Sequence, residues 1–540
     1  MQKKYIPKSI ALLLLRRLVG VLQACLANIT EMQGEVRAIF GSFFSDKQTI
    51  LGVIWLIFLL GACQNTEKTT QNVQAPSVYA PEFPKETEWL NTSKSYKLQD
   101  FKGKIVLLDF WTYGCVNCYH ILPYLKKLEQ EFPEELIVLG IHSAKFETEK
   151  ASAQIQKAVK KYGIAHPVLN DFDSKIWDSY AIKAWPTLVL IDTRGKIVLQ
   201  KSGENFYETF RNKILELRKV SKISSEKFDF KPKNNSEKSF LSFPTKIVAD
   251  KEGNLWIADT GNHRIVKISP EGKILQVVGN GKQGFKDGDF EEALFDEPQG
   301  LAIQDKQLYI ADTRNNRIRK ANLETKKVTS IAGNGGRSLV KNFLEPVQSL
   351  NSPWDLFIQG NTLWIANAGS HQILGLNLEK NETFWKAGSG AEALYDGKNT
   401  QEAAFAQPSG LFAEDTLLYI ADPEASAIRT LDTKNNTLKT LLGKGLFYFG
   451  DVDGSPETAK LQHCLAVWKS ENLLYIADTY NGKIKTFNLN NSLVQTLISD
   501  LDEPNDLIII KDFLYISNTN QHQILRYHLK TKKLETISIR

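Results

Sequence analysis

Six segments of the chain superimpose without a gap. They are LWIADTGNHRIVKI from Leu255, LYIADTRNNRIRKA from Leu308, LWIANAGSHQILGL from Leu363, LYIADPEASAIRTL from Leu418, LYIADTYNGKIKTF from Leu474 and LYISNTNQHQILRY from Leu514. Their starts lie 53, 55, 55, 56 and 40 residues apart. Most units add a proline-led strand before this hairpin (PTKIVAD, PQGLAI, PWDLFI, PSGLFA, PNDLIII), and several add one after it (ILQVVG, VTSIAG, LKTLLG). Helical periodicity is absent throughout. A unit of about four strands cannot bury its own faces, so neighbours must stack and the series must close. Strand-only repeats of this length predict an all-β, six-bladed propeller over residues 239–540, because radial closure leaves few exposed edges. The Asp or Asn of each hairpin (Asp259, Asp312, Asn367, Asp422, Asp478, Asn518) is read as a turn residue, its short side chain accepting nearby N–H groups. The Gly-x-Gly stretches, such as Gly279-Asn280-Gly281, lack the helix and the Lys-Ser/Thr of a phosphate loop and read as inter-blade turns.

The preceding region has a different grammar. Residues 87–220 alternate strands and helices: a strand over Ile105–Trp111, a helix from Cys115, a strand over Leu136–His142, a helix near 148–162 and a short one near 174–180. A hairpin over 187–200 and a last helix over 205–219 complete a mixed α/β sheet. Residues 221–238 are charged and read as a linker, residues 64–86 as a polar tether.

The chemistry sits at the first strand–helix junction, WTYGCVNCYH (Trp111–His120). A helix start has unpaired N–H groups and partial positive charge, and both favour an anion. The thiolate is the reactive form of cysteine. A thiol with a pKa of about 8.5 is mostly protonated at neutral pH, and one lowered to about 7 is half ionised. A zinc half-site would need a second CxxC or CxxH pair, and the five cysteines (Cys25, Cys63, Cys115, Cys118, Cys464) supply none. An inert structural disulfide stays open as an alternative, and no metal is expected.

These residues carry a resemblance. Asp109 six positions before Cys115, the pair Phe110-Trp111, Pro123 five positions after Cys118 and Trp185-Pro186-Thr187 before the strand TLVLID resemble the thioredoxin fold, in the branch of membrane-tethered bacterial thiol–disulfide proteins. The resemblance implies a cis peptide bond at Pro186 and a groove there for a partner's backbone. It implies attack by Cys115, resolution by Cys118 and proton movement through Asp109, with Trp111, His120 and Trp185 in support. The repeats resemble NHL repeats. A thioredoxin-like domain followed by an NHL propeller, with GIHSAKF, HPVLND and AWPT, resembles the NHL repeat-containing protein 2 family over roughly residues 87–540. The chain departs from thioredoxin in having Val116-Asn117 between the cysteines and Gly114 in place of tryptophan. The dipeptide between the cysteines tunes redox poise. Thr112 and Cys115 fit T-x-x-C of a peroxidase signature, but Leu108 stands where its proline would be.

The reading that follows is a thiol–disulfide oxidoreductase with no cofactor beyond a redox-active Cys115–Cys118 disulfide. Its partner would be a protein thiol or disulfide, and the propeller would be the platform that binds it. The alternative is a propeller-based binding or scaffold protein, taking a protein or glycan on its turn-bearing face, whose first domain is not catalytically important. A lyase-type propeller enzyme would need clustered metal ligands; His263, His371 and His522 instead occupy equivalent places in three blades. His120 and His142 read as a helix-surface and a structural histidine. Net charge is +6 over 540 residues, too little and too dispersed for a nucleic-acid partner.

The N-terminal segment, residues 1–63, points to the membrane. Ile50–Ala62 is an apolar run of signal-peptide length, shorter than a span. It ends Leu60-Gly61-Ala62-Cys63 before a polar stretch, which resembles a bacterial lipoprotein signal. The resemblance implies lipid on Cys63 and a place in the bacterial cell envelope, facing the periplasm or the outside. Residues 1–49 are long for such a signal, so the translation start is expected nearer the apolar run.

Overall fold

A computed structural model describes residues 78–228, 230 and 239–540. The lipoprotein-type segment with Cys63 and most of the tether lie outside the described residues. Among the described residues no helix is long and apolar enough to cross a membrane.

The first domain is thioredoxin-like. Its elements are β1 (Glu88–Leu90), β2 (Ile105–Trp111), α1 (Val116–Glu131), β3 (Leu136–His142), α2 (Ser152–Tyr162), β4 (Val168–Asn170), α3 (Lys175–Ser179), β5 (Thr187–Ile191), β6 (Ile197–Ser202) and α4 (Tyr207–Val220). The sheet order is β1-β4-β3-β2-β5-β6. β2 runs parallel to β3 and antiparallel to β5. Every residue of β2 and β3 is buried, which is why both read as unbroken apolar runs: their sheet is covered on both faces. One face packs Leu107, Leu125, Leu128, Phe210 and Ile214, the other Phe101, Phe110, Ile141 and Tyr180.

Three boundaries differ from the sequence reading. The backbone joins the sheet edge from Val78, not 87: Ile197 N–H donates to Val78, Tyr79 bridges Lys196 and Ala80 N–H donates to Gly195. The expected linker is partly built in: Phe228 and Phe230 pack on Tyr96 and Phe101. The helix expected over 148–162 is broken at Ala151, which is extended. That break frees Glu149 to turn inward.

The second domain has six antiparallel sheets among the described residues. Blades 1–6 begin at Pro244, Pro298, Pro353, Gly410, Ala466 and Pro504. Four strands follow chain order across each blade, and in blade 2 the two-residue strand Gly288–Asp289 adds to the outer edge beside Lys327–Ala332. The chain end closes the ring: Arg540 N–H donates to Gly272, and Ile274 N–H to Arg540. Blade-to-blade stitching comes from the threonine after the repeat Asp or Asn. Thr260, Thr313, Thr479 and Thr519 each donate to the carbonyl of the next blade's leading proline, at 2.6–2.8 Å. The channel holds Lys246 between Asp355 and Asp506, at 2.9 and 3.2 Å. Lys246 thus partners both acids, while burial raises Asp355 and Asp506. Among the described residues no group of His, Cys, Asp or Glu is arranged to hold a metal ion.

The repeat Asp or Asn does more than cap its own turn. Each accepts the N–H of the loop entering its blade: Ser242, Asp296, Asn351, Ala406, Gln462 and Asp502 donate at 2.7–2.8 Å. Burial raises Asp312, Asp422 and Asp478 to about 6. The residue after each pinned N–H (Phe243, Glu297, Ser352, Gln407, His463, Glu503) has a positive φ of 47–67°. Five of these residues have a second anchor. Their N–H groups donate to His522, His263, Asn316, His371 and Ser426 of the preceding blade. The histidines at equivalent repeat positions are therefore loop anchors. Together the two anchors fix a ring of six side chains at one rim of the channel.

Candidate active site: a dithiol docked on the propeller rim

Cys115 is the N-cap of α1, and Cys118 N–H donates to its sulfur at 3.3 Å. Cys115 is partly exposed, while Cys118 is buried at 2%. The two sulfurs are free thiols. Burial, and then the neighbouring Cys115, push the Cys118 thiol well above its ordinary range. Asp109 lies beneath them, 1% exposed, and neither carboxylate oxygen has a hydrogen-bond partner. Burial raises it to about 7. The Trp185–Pro186 bond is cis. Trp185 packs with Cys115 against the core and donates its Nε1–H to Ser143 at 3.0 Å. Trp111 is buried, edge-on to His142. His142 is structural: burial holds it down to about 3, and Tyr113 stacks on it.

His120 is not on a free helix surface. It is 7% exposed, with Nε2 at 2.6 Å from Ser352 Oγ and Nδ1 at 2.9 Å from Glu204. Burial lowers its pKa. Both ring nitrogens are engaged away from the sulfurs, so it holds the two domains together and does not serve the thiolate. A second domain covers a helix face that the sequence of the first domain leaves polar.

The propeller rim supplies the cover. Tyr119 donates to Glu297 at 2.8 Å, and the Arg314 guanidinium lies 4.2 Å over its ring. Lys145 pairs with buried Glu424, while Lys157 reaches Asp502 at 2.5 Å. Burial opposes ionisation of Glu424, yet Lys145 and His463 hold it down to about 2. Removing one member of a buried pair of this kind leaves an uncompensated charge and costs about 3–5 kcal/mol. The turn-bearing face proposed for an external ligand is thus occupied, over the ring, by the chain's own first domain.

Gly114 shows how close the fit is. A Cβ there would lie 2.9 Å from Tyr480 Oη, 3.0 Å from Glu149 Oε1 and 3.1 Å from His463 Cε1. The departure from tryptophan is the room that the propeller needs. Glu149, missed in the sequence, accepts from Gly114 N–H at 3.1 Å and from Lys145 and Phe146 N–H at 2.8 and 2.9 Å. Gln407, also missed, accepts from Val116 N–H at 2.8 Å and donates to the Gly114 carbonyl at 3.0 Å. The sequence signal for the rim residues is their place directly before the proline that leads into five of the six blades, Pro244, Pro298, Pro353, Pro408 and Pro504.

Known proteins agree with this architecture. The chain matches the AhpC/TSA family model over residues 74–200 and the NHL repeat model over 241–268 and 295–321. NHL repeat-containing protein 2 of Homo sapiens is 38% identical over 519 residues, 85% of this chain and 71% of that protein. Protein SUPPRESSOR OF QUENCHING 1, chloroplastic, of Arabidopsis thaliana is 36% identical over 489 residues, 83% of this chain and 46% of that protein. Thiol-disulfide oxidoreductase ResA of Bacillus anthracis is 33% identical over 115 residues, 21% of this chain and 64% of that protein.

Proposed function

This chain belongs to the NHL repeat-containing protein 2 family, and we propose that its first domain is a thiol–disulfide oxidoreductase working through Cys115 and Cys118. The observation that carries the reading is the asymmetry of the pair: one sulfur partly exposed at a helix N-cap, the other buried above an unpaired acid that titrates at about 7. The Cys115 thiolate attacks a partner's disulfide. A bond forms between Cys115 and one partner sulfur, the partner's S–S bond breaks, and the leaving sulfur takes a proton. Asp109 accepts the proton of Cys118, whose thiolate then attacks Cys115. The second partner sulfur leaves, and the products are a Cys115–Cys118 disulfide and a partner dithiol. Two electrons have passed to the partner. The reverse sequence oxidises a partner dithiol.

The cis-Pro186 loop, whose Trp185 packs on the same core as Cys115, would be the strip that receives a partner's backbone. The propeller limits approach from the other side, so the partner is recognised by both domains. Lipid on Cys63 and a place in the bacterial cell envelope complete the proposal, supported by the apolar run that ends at Ala62.

The direct test is turnover of a protein disulfide by the full chain with a thiol reductant. Cys115→Ser should lower the rate to that of the reductant alone, a loss of at least about a thousandfold. Equal rates for wild type and variant would end the enzymatic reading.

A further inference from the structure

We infer that Gln407, a propeller residue nearly 300 positions from the dithiol, is a positioning residue for Cys115 that sets how readily this sulfur reacts. The inference deepens the proposed function and rests on Cys115 being the attacking sulfur.

Two bonds carry it. The Gln407 carboxamide accepts from the N–H of Val116 and donates to the carbonyl of Gly114, the two residues that flank Cys115. The first N–H groups of a helix have no intrahelical acceptor, and they are what a thiolate at the N-cap draws on. Here Cys118 N–H serves the Cys115 sulfur, while Val116 N–H is taken by Gln407. The propeller therefore takes up part of the partial positive charge at the helix end that favours the negative sulfur. It also holds the peptides on each side of that sulfur still.

Gln407 is well placed to do this. It is 2% exposed. Its own N–H donates to His371 Nδ1 at 3.0 Å, and burial holds His371 down to about 4, so this acceptor stays neutral through the physiological range. The positive φ of Gln407 is shared by all six rim positions and belongs to the propeller. What is particular to this blade is the side chain: the equivalent Glu297 and Ser352 bond to Tyr119 and His120 instead. The other titratable groups around Cys115 are Cys118 and Asp109 beneath it, Glu149 and Tyr113 beside Gly114, and His463 and Tyr480 from the propeller.

The test uses two full-length variants of nearly equal volume and a pH series of Cys115 alkylation followed by mass. Gln407→Glu places a carboxylate on the helix end, where it competes with the thiolate. Its midpoint should move up by about one pH unit, which is about tenfold slower alkylation at pH 7. Gln407→Met removes the acceptor without adding charge and leaves the Val116 N–H dipole uncompensated beside the sulfur. Its midpoint should move down, with alkylation at pH 7 faster by about threefold. Each variant carries its own sign, so the two together decide the matter. A purely structural role would loosen the loop in both and move them the same way. Shifts in one direction, or none, overturn the inference while wild-type exchange through Cys115 still stands. Absence of exchange in the wild type would instead end the functional reading.

Discussion

Cys118→Ser should leave the full chain joined to its partner through Cys115. The first attack needs only the partly exposed sulfur, which the substitution spares. The second needs a thiolate at position 118, and a serine hydroxyl does not supply one. The mixed disulfide should outlive the wild-type intermediate by about a hundredfold or more. It should run as a higher-mass species that thiol reductants dissolve, and the double replacement of Cys115 and Cys118 should not form it. Identification of the trapped protein gives the substrate. A Cys118→Ser chain that traps nothing, in an extract where wild type turns over, would mean that the cysteines do not have these roles. The propeller would then be left as the working part.

Asp109→Asn should give the second large effect, and in two opposed directions. The carboxyl is buried without a partner and titrates at about 7, against an ordinary value of 3.8. Its folded-state pKa is raised, so the stability it permits is fully present below about pH 4. That stability is lost as pH rises through about 7, because the unfolded chain gives up the proton first. Three units correspond to about 4 kcal/mol at most. Asparagine stays neutral, so the decline in denaturant stability from pH 4 to 8 should be shallower in the variant than in wild type. The variant should be the more stable at pH 8. Catalysis should move the other way. The Cys118 thiol is held well above neutrality by burial, so resolution needs an acceptor for its proton. In wild type, resolution should accelerate as pH rises through about 7; in Asp109→Asn it should lose that rise and slow by about a hundredfold. A variant equally stable at pH 8 and equally fast would remove Asp109 from the account.

The parts of the molecule that were legible in the sequence are those written locally. Each blade repeats its own strands and turn, so Asp259 could be read as a turn residue from its neighbours in the chain. The dithiol, Asp109 and Pro186 were legible because the helix start and the loop facing it are short, ordered motifs. What could not be read was the meeting of the two domains. Gln407 looks like any polar residue before a proline until Val116 is found beneath it. Gly114 looked like a missing tryptophan and is a contact surface for Tyr480. His120 looked solvated because its face is polar, and that face is matched to Ser352 and Glu204. Phe228 and Phe230 were too sparse in a charged stretch to mark a packed segment, although both reach an aromatic cluster 130 residues earlier.

The central claim is that Cys115 and Cys118 form one two-electron couple. The most direct measurement equilibrates the native full-length chain in thiol/disulfide buffers of defined potential and counts blocked and free thiols by mass. The account predicts that both sulfurs convert together, at one midpoint between about −270 and −120 mV, while Cys464, buried in the propeller, stays a thiol throughout. A pair that keeps one state at every potential, or two sulfurs that change independently, would contradict it.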